Sequence, residues 1–84
     1  MRALFFYAEW SSHSMELEHI IRECIANNLI KIHIDNVNIS EPQIVSGRYK
    51  IKSIPTLLLV ENNGKEIKRH IGDMTKEQFL QFLE

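Results

Sequence analysis

Two short runs of this chain carry almost no polar side chain: Ala3-Leu4-Phe5-Phe6-Tyr7 and Thr56-Leu57-Leu58-Leu59-Val60. Successive side chains of a strand point to opposite faces, so a strand with one wet face alternates apolar and polar residues. Runs that do not alternate need cover on both faces, which an isolated sheet cannot supply. At five residues each they are far short of the ~20 needed to span a bilayer. The chain therefore has to place helices above and below a sheet whose centre holds these two segments.

The residues between and after them read as that cover. Residues 9–13 form a turn, and Ser12 or Ser14 is the expected N-cap of a helix, with Glu16 and Glu18 near the positive end of its dipole. Leu17, Ile20, Ile21, Cys24 and Ile25 fall at helical spacing along one face, and Asn27-Asn28 ends the helix. Residues 29–35 are expected as a strand, with Ile30, Ile32 and Ile34 on one side. Ser40-Glu41-Pro42 signals a second helix, running to about Tyr49. Pro55 pushes Ile54 into extended geometry ahead of the second apolar run. Asn62-Asn63-Gly64 is a hairpin turn, residues 66–71 the returning strand, and Gly72 its break. Thr75 caps a last helix, with Phe79, Leu80, Phe82 and Leu83 on its apolar side. The order is β-α-β-α-β-β-α. Its first half makes a right-handed parallel crossover and its second half an antiparallel hairpin. The expected architecture is a four-stranded mixed sheet in an α/β sandwich with three helices.

With 84 residues, the chain supports one domain, residues 1–84, which buries about 60–65% of the surface its unfolded form exposes. Ten basic against eleven acidic residues give a net charge of −1. No bulk positive field exists to hold nucleic acid or an anionic membrane. Cys24 is the sole cysteine, which rules out an intrachain disulfide and points to a reducing compartment. Residues 3–8 are too short for a secretory core, so the expected location is the cytoplasm.

Three segments carry a resemblance. Phe6-Tyr7-Ala8-Glu9-Trp10 is similar to the approach to the redox motif of the thioredoxin family. Arg48-Tyr49-Lys50-Ile51-Lys52-Ser53-Ile54-Pro55-Thr56 resembles the family's cis-proline segment. Asn63-Gly64-Lys65 through Gly72 and the final helix follow its closing hairpin. The element order resembles the short form of the thioredoxin fold, without an extra N-terminal strand and helix, and implies strand order 2-1-3-4. The resemblance implies a thiol–disulfide oxidoreductase that exchanges electron pairs with protein disulfides. It implies recharging by a thioredoxin reductase, ribonucleotide reductase among the candidate acceptors, and no prosthetic cofactor. The alternative reading within the fold is a glutaredoxin-like protein, against which the Ile-Pro-Thr segment and the missing glutathione-carboxylate signature weigh.

The departure lies where the family carries Cys-x-x-Cys. Here the residues are Ser11, Ser12, His13 and Ser14. The family's chemistry needs thiolate attack on a disulfide and a second thiol to resolve the mixed disulfide. A serine hydroxyl does neither, so the chain as it stands is expected to be redox-inactive. Serine replaces sulfur with oxygen at both positions inside an intact motif. An engineered Cys→Ser double variant of a Cys-Ser-His-Cys parent leaves that pattern; the other reading is a natural redox-silent binding module or adaptor. A buried Asp common in the family is Phe5 here, which relays no proton. His at the third motif position implies a less reducing parent than one with Gly-Pro between the cysteines.

By the same resemblance Ser11 takes the nucleophile position and Ser14 the resolving one. His13 sits beside them as a thiolate-stabilising group or a plain turn residue. Trp10, Ser12, Ile54, Pro55 and Gly72 border the partner groove, with a cis bond expected at Ile54–Pro55. There the Ile54 backbone is left to hold an extended partner segment. A Ser/His hydrolase is not indicated, since no third acidic residue or oxyanion hole is in view. Cys24, ten positions beyond Ser14 on the same helix, reads as a small buried hydrophobe. His13, His19, His33 and His70 share no ligand spacing, so no metal site is expected. Arg48, Lys50 and Lys52 read as a solvated basic strip.

Overall fold

The computed structural model describes residues 1–39 and 47–84. Strand β1 (Arg2–Tyr7) and strand β3 (Thr56–Val60) are the two apolar runs, and they pair antiparallel, with Arg2 opposite Val60 and Phe6 opposite Thr56. Strand β2 (His33–Asn38) lies parallel to β1 on its other side, and β4 (Glu66–Ile71) lies antiparallel to β3, giving the order β2-β1-β3-β4. Helix α1 (Ser12–Ala26) links β1 to β2, and helix α2 (Lys76–Phe82) closes the chain. Residues 47–49 are helical, the tail of the expected middle helix; its expected start at Ser40-Glu41-Pro42 lies outside the described residues.

The missing alternation in β1 and β3 resolves into two cores. Ala3, Phe5, Leu57 and Leu59 face α1 and α2, where they meet Leu17, Ile21, Cys24, Met74 and Phe79. Leu4, Phe6, Leu58 and Val60 face the other way, onto Tyr49, with Val37, Ile39 and Ile51 at the margin. The Tyr49 hydroxyl donates to the Gly64 carbonyl at 2.7 Å, and Arg69 donates to the Tyr49 carbonyl at 2.8 Å, so the 47–49 turn is tied to the β3–β4 hairpin. The Arg69 hydrogen bonds also hold the Glu66 carboxyl below its ordinary pKa. Arg48, Lys50 and Lys52 are exposed, in keeping with a solvated strip, and the Arg48 guanidinium lies 5.3 Å from the Tyr49 ring centroid.

Both helices end as their local chemistry dictates. Asn28 takes the left-handed conformation (φ 56°), the Leu29 N–H donates to the Cys24 carbonyl at 2.9 Å, and the Asn28 N–H to that of Ile25 at 3.1 Å. These two bonds satisfy the last carbonyls of α1. Thr75 and Gln78 form a reciprocal capping box at the start of α2. In the hairpin only Gly64 needs positive φ (89°), and its N–H closes the turn onto the Glu61 carbonyl at 2.8 Å.

Four expectations are corrected. The N-cap of α1 is Ser11, not Ser12 or Ser14: Ser11 keeps an extended backbone and its hydroxyl accepts the Ser14 N–H at 3.2 Å. Glu16 and Glu18 consequently lie beyond the first turn, which holds no acidic residue. Ile25 is 51% exposed, because it lies a ~100° rotation beyond Cys24 at the end of the helix. Strand β2 begins at His33 rather than residue 29. Ile30, Ile32 and Ile34 all pack against one core, but only Ile34 lies in the strand, opposite Ala3, so at Ile30 and Ile32 the pattern reported burial rather than strand pairing.

Phe79 is fully buried on α2, whereas Ile25 is half out of the protein. Phe79→Ala is expected to cost about 3–5 kcal/mol, and Ile25→Ala to stay within about 0.5 kcal/mol of the parent. Urea unfolding followed by circular dichroism checks both.

Candidate functional site

Antiparallel pairing brings the C-terminal end of β1, the start of β3 and the C-terminal end of β4 to one end of the sheet. From the end of β1 the chain turns tightly, with the Ser11 N–H donating to the Ala8 carbonyl at 3.1 Å, and α1 starts at once. Ser11 is the cap of that helix. Ser14, one turn further, has its side chain fully buried, and among the described residues its Oγ has no hydrogen-bond partner. Leaving a buried hydroxyl without a partner costs about 1–3 kcal/mol. The cost is specific to oxygen: a thiol is a weak donor and a weak acceptor and is at ease in apolar surroundings.

Pro55 is buried immediately before β3, and the Ile54–Pro55 bond is cis. The Gly72 N–H donates to the Pro55 carbonyl at 2.8 Å, and Gly72 has φ 100°, a conformation that favours glycine. Among the described residues no hydrogen bond engages the backbone of half-buried Ile54. Ser12 is exposed, Trp10 is 75% exposed and Ile71 57% exposed. Two large apolar side chains, one following β1 and one at the end of β4, thus stand in water.

His13 lies in the first turn of α1 with its side chain exposed. Its Nδ1 lies 2.9 Å from Oδ2 of Asp73, the residue after Gly72. Sequence reasoning missed Asp73, because nothing in a Gly-Asp pair beyond a strand announces a partner sixty residues upstream. It also missed Ile71, whose outward position depends on where β4 stops. Glu16 joins His13 and Asp73 in a group whose ligand atoms all lie within 4.8 Å of one another. Cys24 is not part of the site: it is fully buried in the α1–α2 core, and that burial pushes its thiol above the ordinary pKa, with Lys76 acting the other way. Phe5 is buried and stacks on Tyr7 at 5.4 Å.

A capped helix start beside a buried proline at one end of a four-stranded mixed sheet defines the class, a thioredoxin-fold protein. Thioredoxin-2 of the malaria parasite, a component of its protein secretion machinery, superimposes with a TM-score of 0.84 over 95% of this chain and 77% of its own, at 16% sequence identity. The family model described as Thioredoxin matches residues 3–84, and the chain belongs to the thioredoxin family. It is 28% identical to a thioredoxin of Haemophilus influenzae over 80 residues, covering 95% of this chain and 74% of that one. A thioredoxin of Chlamydia pneumoniae is 36% identical over 72 residues, covering 86% and 69%. Thioredoxin 2 of Chlorobaculum tepidum is 30% identical over 79 residues, covering 94% and 72%.

The two serines are unequal, and stability should show it. Ser11→Ala removes a cap and is expected to cost about 1 kcal/mol. Ser14→Cys removes an unpartnered hydroxyl and is expected to stabilise by about 1 kcal/mol. Paired urea titrations under reducing conditions check the opposite signs.

Proposed function

We propose that this chain is the Cys→Ser form of a thiol–disulfide oxidoreductase acting on protein disulfides. The observation that carries the reading is Ser14: a polar oxygen buried without a partner, one turn inside a helix capped by Ser11. Oxygen fits Ser11, where a hydroxyl caps the helix, and fits Ser14 badly. Sulfur suits both, since a helix N-terminus stabilises a thiolate at the cap and burial suits a resolving thiol.

With sulfur at both positions the reaction balances simply. A thiolate at position 11 attacks a substrate disulfide, one S–S bond breaks as another forms, and the released substrate thiolate takes a proton. The thiol at position 14 then loses its proton and attacks the mixed disulfide. That attack releases the second substrate thiol and leaves a disulfide on the protein. Two electrons have passed to the substrate, and a thioredoxin reductase would restore them. Trp10, Ser12, Ile54, Pro55 and Gly72 would form the groove, with the Ile54 backbone free to pair with an extended substrate. Ribonucleotide reductase is one candidate acceptor, and a cytoplasmic location fits the chemistry. Among the described residues no helix is long and apolar enough to cross a membrane. As the chain stands it can hold a substrate but pass it no electrons. The exposed Trp10 and Ile71 also favour a second reading, a redox-silent adaptor using the same groove.

Reduction of insulin disulfides by dithiothreitol, followed by turbidity, tests the proposal. The chain as it stands should leave the rate at background, and the Ser11→Cys/Ser14→Cys variant should accelerate it. A folded double variant that stays at background contradicts the oxidoreductase reading and favours the adaptor.

A further inference from the structure

We propose that His13, Glu16 and Asp73 form a binding site for a borderline divalent transition-metal ion, Zn2+ being the probe of choice. The inference is independent of the sulfur reading, because none of the three residues is a serine of the motif. His13 and Glu16 are three apart on α1 and so share one helix face. Asp73 arrives from the β4–α2 turn. Their ligand atoms already lie within 4.8 Å of one another. Two ligands on one tetrahedral zinc, each at about 2.0–2.2 Å, lie roughly 3.5 Å apart. All three side chains are exposed, so the closing movement is a change of rotamer.

The turn that presents Asp73 is held from both sides. The His70 ring lies 2.8 Å from the Asp73 carbonyl through Nε2, and the Gly72 N–H donates to Pro55. Charge points the same way. Asp35, Glu18, Glu23 and Glu66 each meet an Arg or Lys. Among the described residues no Arg or Lys makes an ion pair with Glu16 or Asp73, whose partner is His13. With the imidazole neutral, the group holds two negative charges that a dication would neutralise. The start of α1 opposes a cation by about 0.3–1 kcal/mol, less than chelation by three ligands returns.

One imidazole and two carboxylates select zinc, nickel or copper over calcium or magnesium, which prefer all-oxygen sets. The metal takes the Nδ1 lone pair of the neutral ring, whose hydrogen is then on Nε2. Protons compete for the same lone pair, so uptake weakens as pH falls. A bound ion would fasten the start of α1 to the turn after β4, the two segments that carry Trp10 and Gly72.

The test uses the chain as it stands, titrated with ZnCl2 by calorimetry and by NMR of the histidine rings. One equivalent should bind, and the His13 ring signals should move first. His13→Gln and Asp73→Asn should each weaken binding about tenfold or more, with unchanged thermal midpoints in the absence of metal. His19→Gln and His33→Gln serve as controls, because each removes a different surface His–carboxylate pair, and they should leave the affinity unchanged. The proposal is overturned if the His19 and His33 rings shift together with His13, if His13→Gln binds as well as the parent, or if Ca2+ binds as tightly as Zn2+.

Discussion

The antiparallel pairing of β1 with β3 is the constraint on which the rest depends. Each strand is buried on both faces, so neither can slip by one residue without turning every side chain to the wrong core. That fixed register sets Phe6 opposite Thr56, and with it the end of β1 beside Pro55. The chain then has only the short segment from Ala8 to Ser11 in which to turn and start α1. The helix start lies at this end of the sheet because no length is available to put it elsewhere. The pairing of β3 with β4 brings Gly72 and Asp73 to the same end, and the site is complete.

Within that frame oxygen and sulfur are not interchangeable. At Ser11 the side-chain oxygen accepts a backbone N–H and satisfies a helix start. At Ser14 the same atom type is enclosed with nothing to bond. Position 11 is thus one where a polar acceptor satisfies a helix start, and position 14 one where a less polar atom than oxygen would sit more easily. Cys24, the one thiol the chain does carry, is placed in the core, where burial raises its pKa.

What could be read from the sequence followed how local each signal is. The limits of β3 and β4, the Asn-Asn-Gly turn and the Thr75 cap depend on neighbours in the chain, and their residues stated them. The cap of α1 was ambiguous, because serine stands at positions 11, 12 and 14 and only the path out of β1 decides among them. β2 was placed early, since Ile30 and Ile32 are apolar for a core they reach from the segment before the strand, while Ile34 reaches it from β2 itself. Ile25 was drawn into the apolar stripe by spacing alone, although it lies a ~100° rotation beyond buried Cys24. The placing of His13 against Asp73 joins residues sixty apart and was invisible until the fold brought them together. The proposed groove residues Trp10, Ile54, Pro55 and Gly72 came from family resemblance rather than from pattern.

The central claim is that position 11 is built for an attacking sulfur and position 14 for a resolving one. Trapping tests it most directly. The Ser11→Cys single variant, mixed with a disulfide-containing protein and analysed by mass spectrometry without reductant, should accumulate a stable mixed disulfide at position 11. The Ser14→Cys single variant, its thiol buried, should accumulate almost none. Equal trapping by the two variants, or trapping by Ser14→Cys alone, would contradict the account.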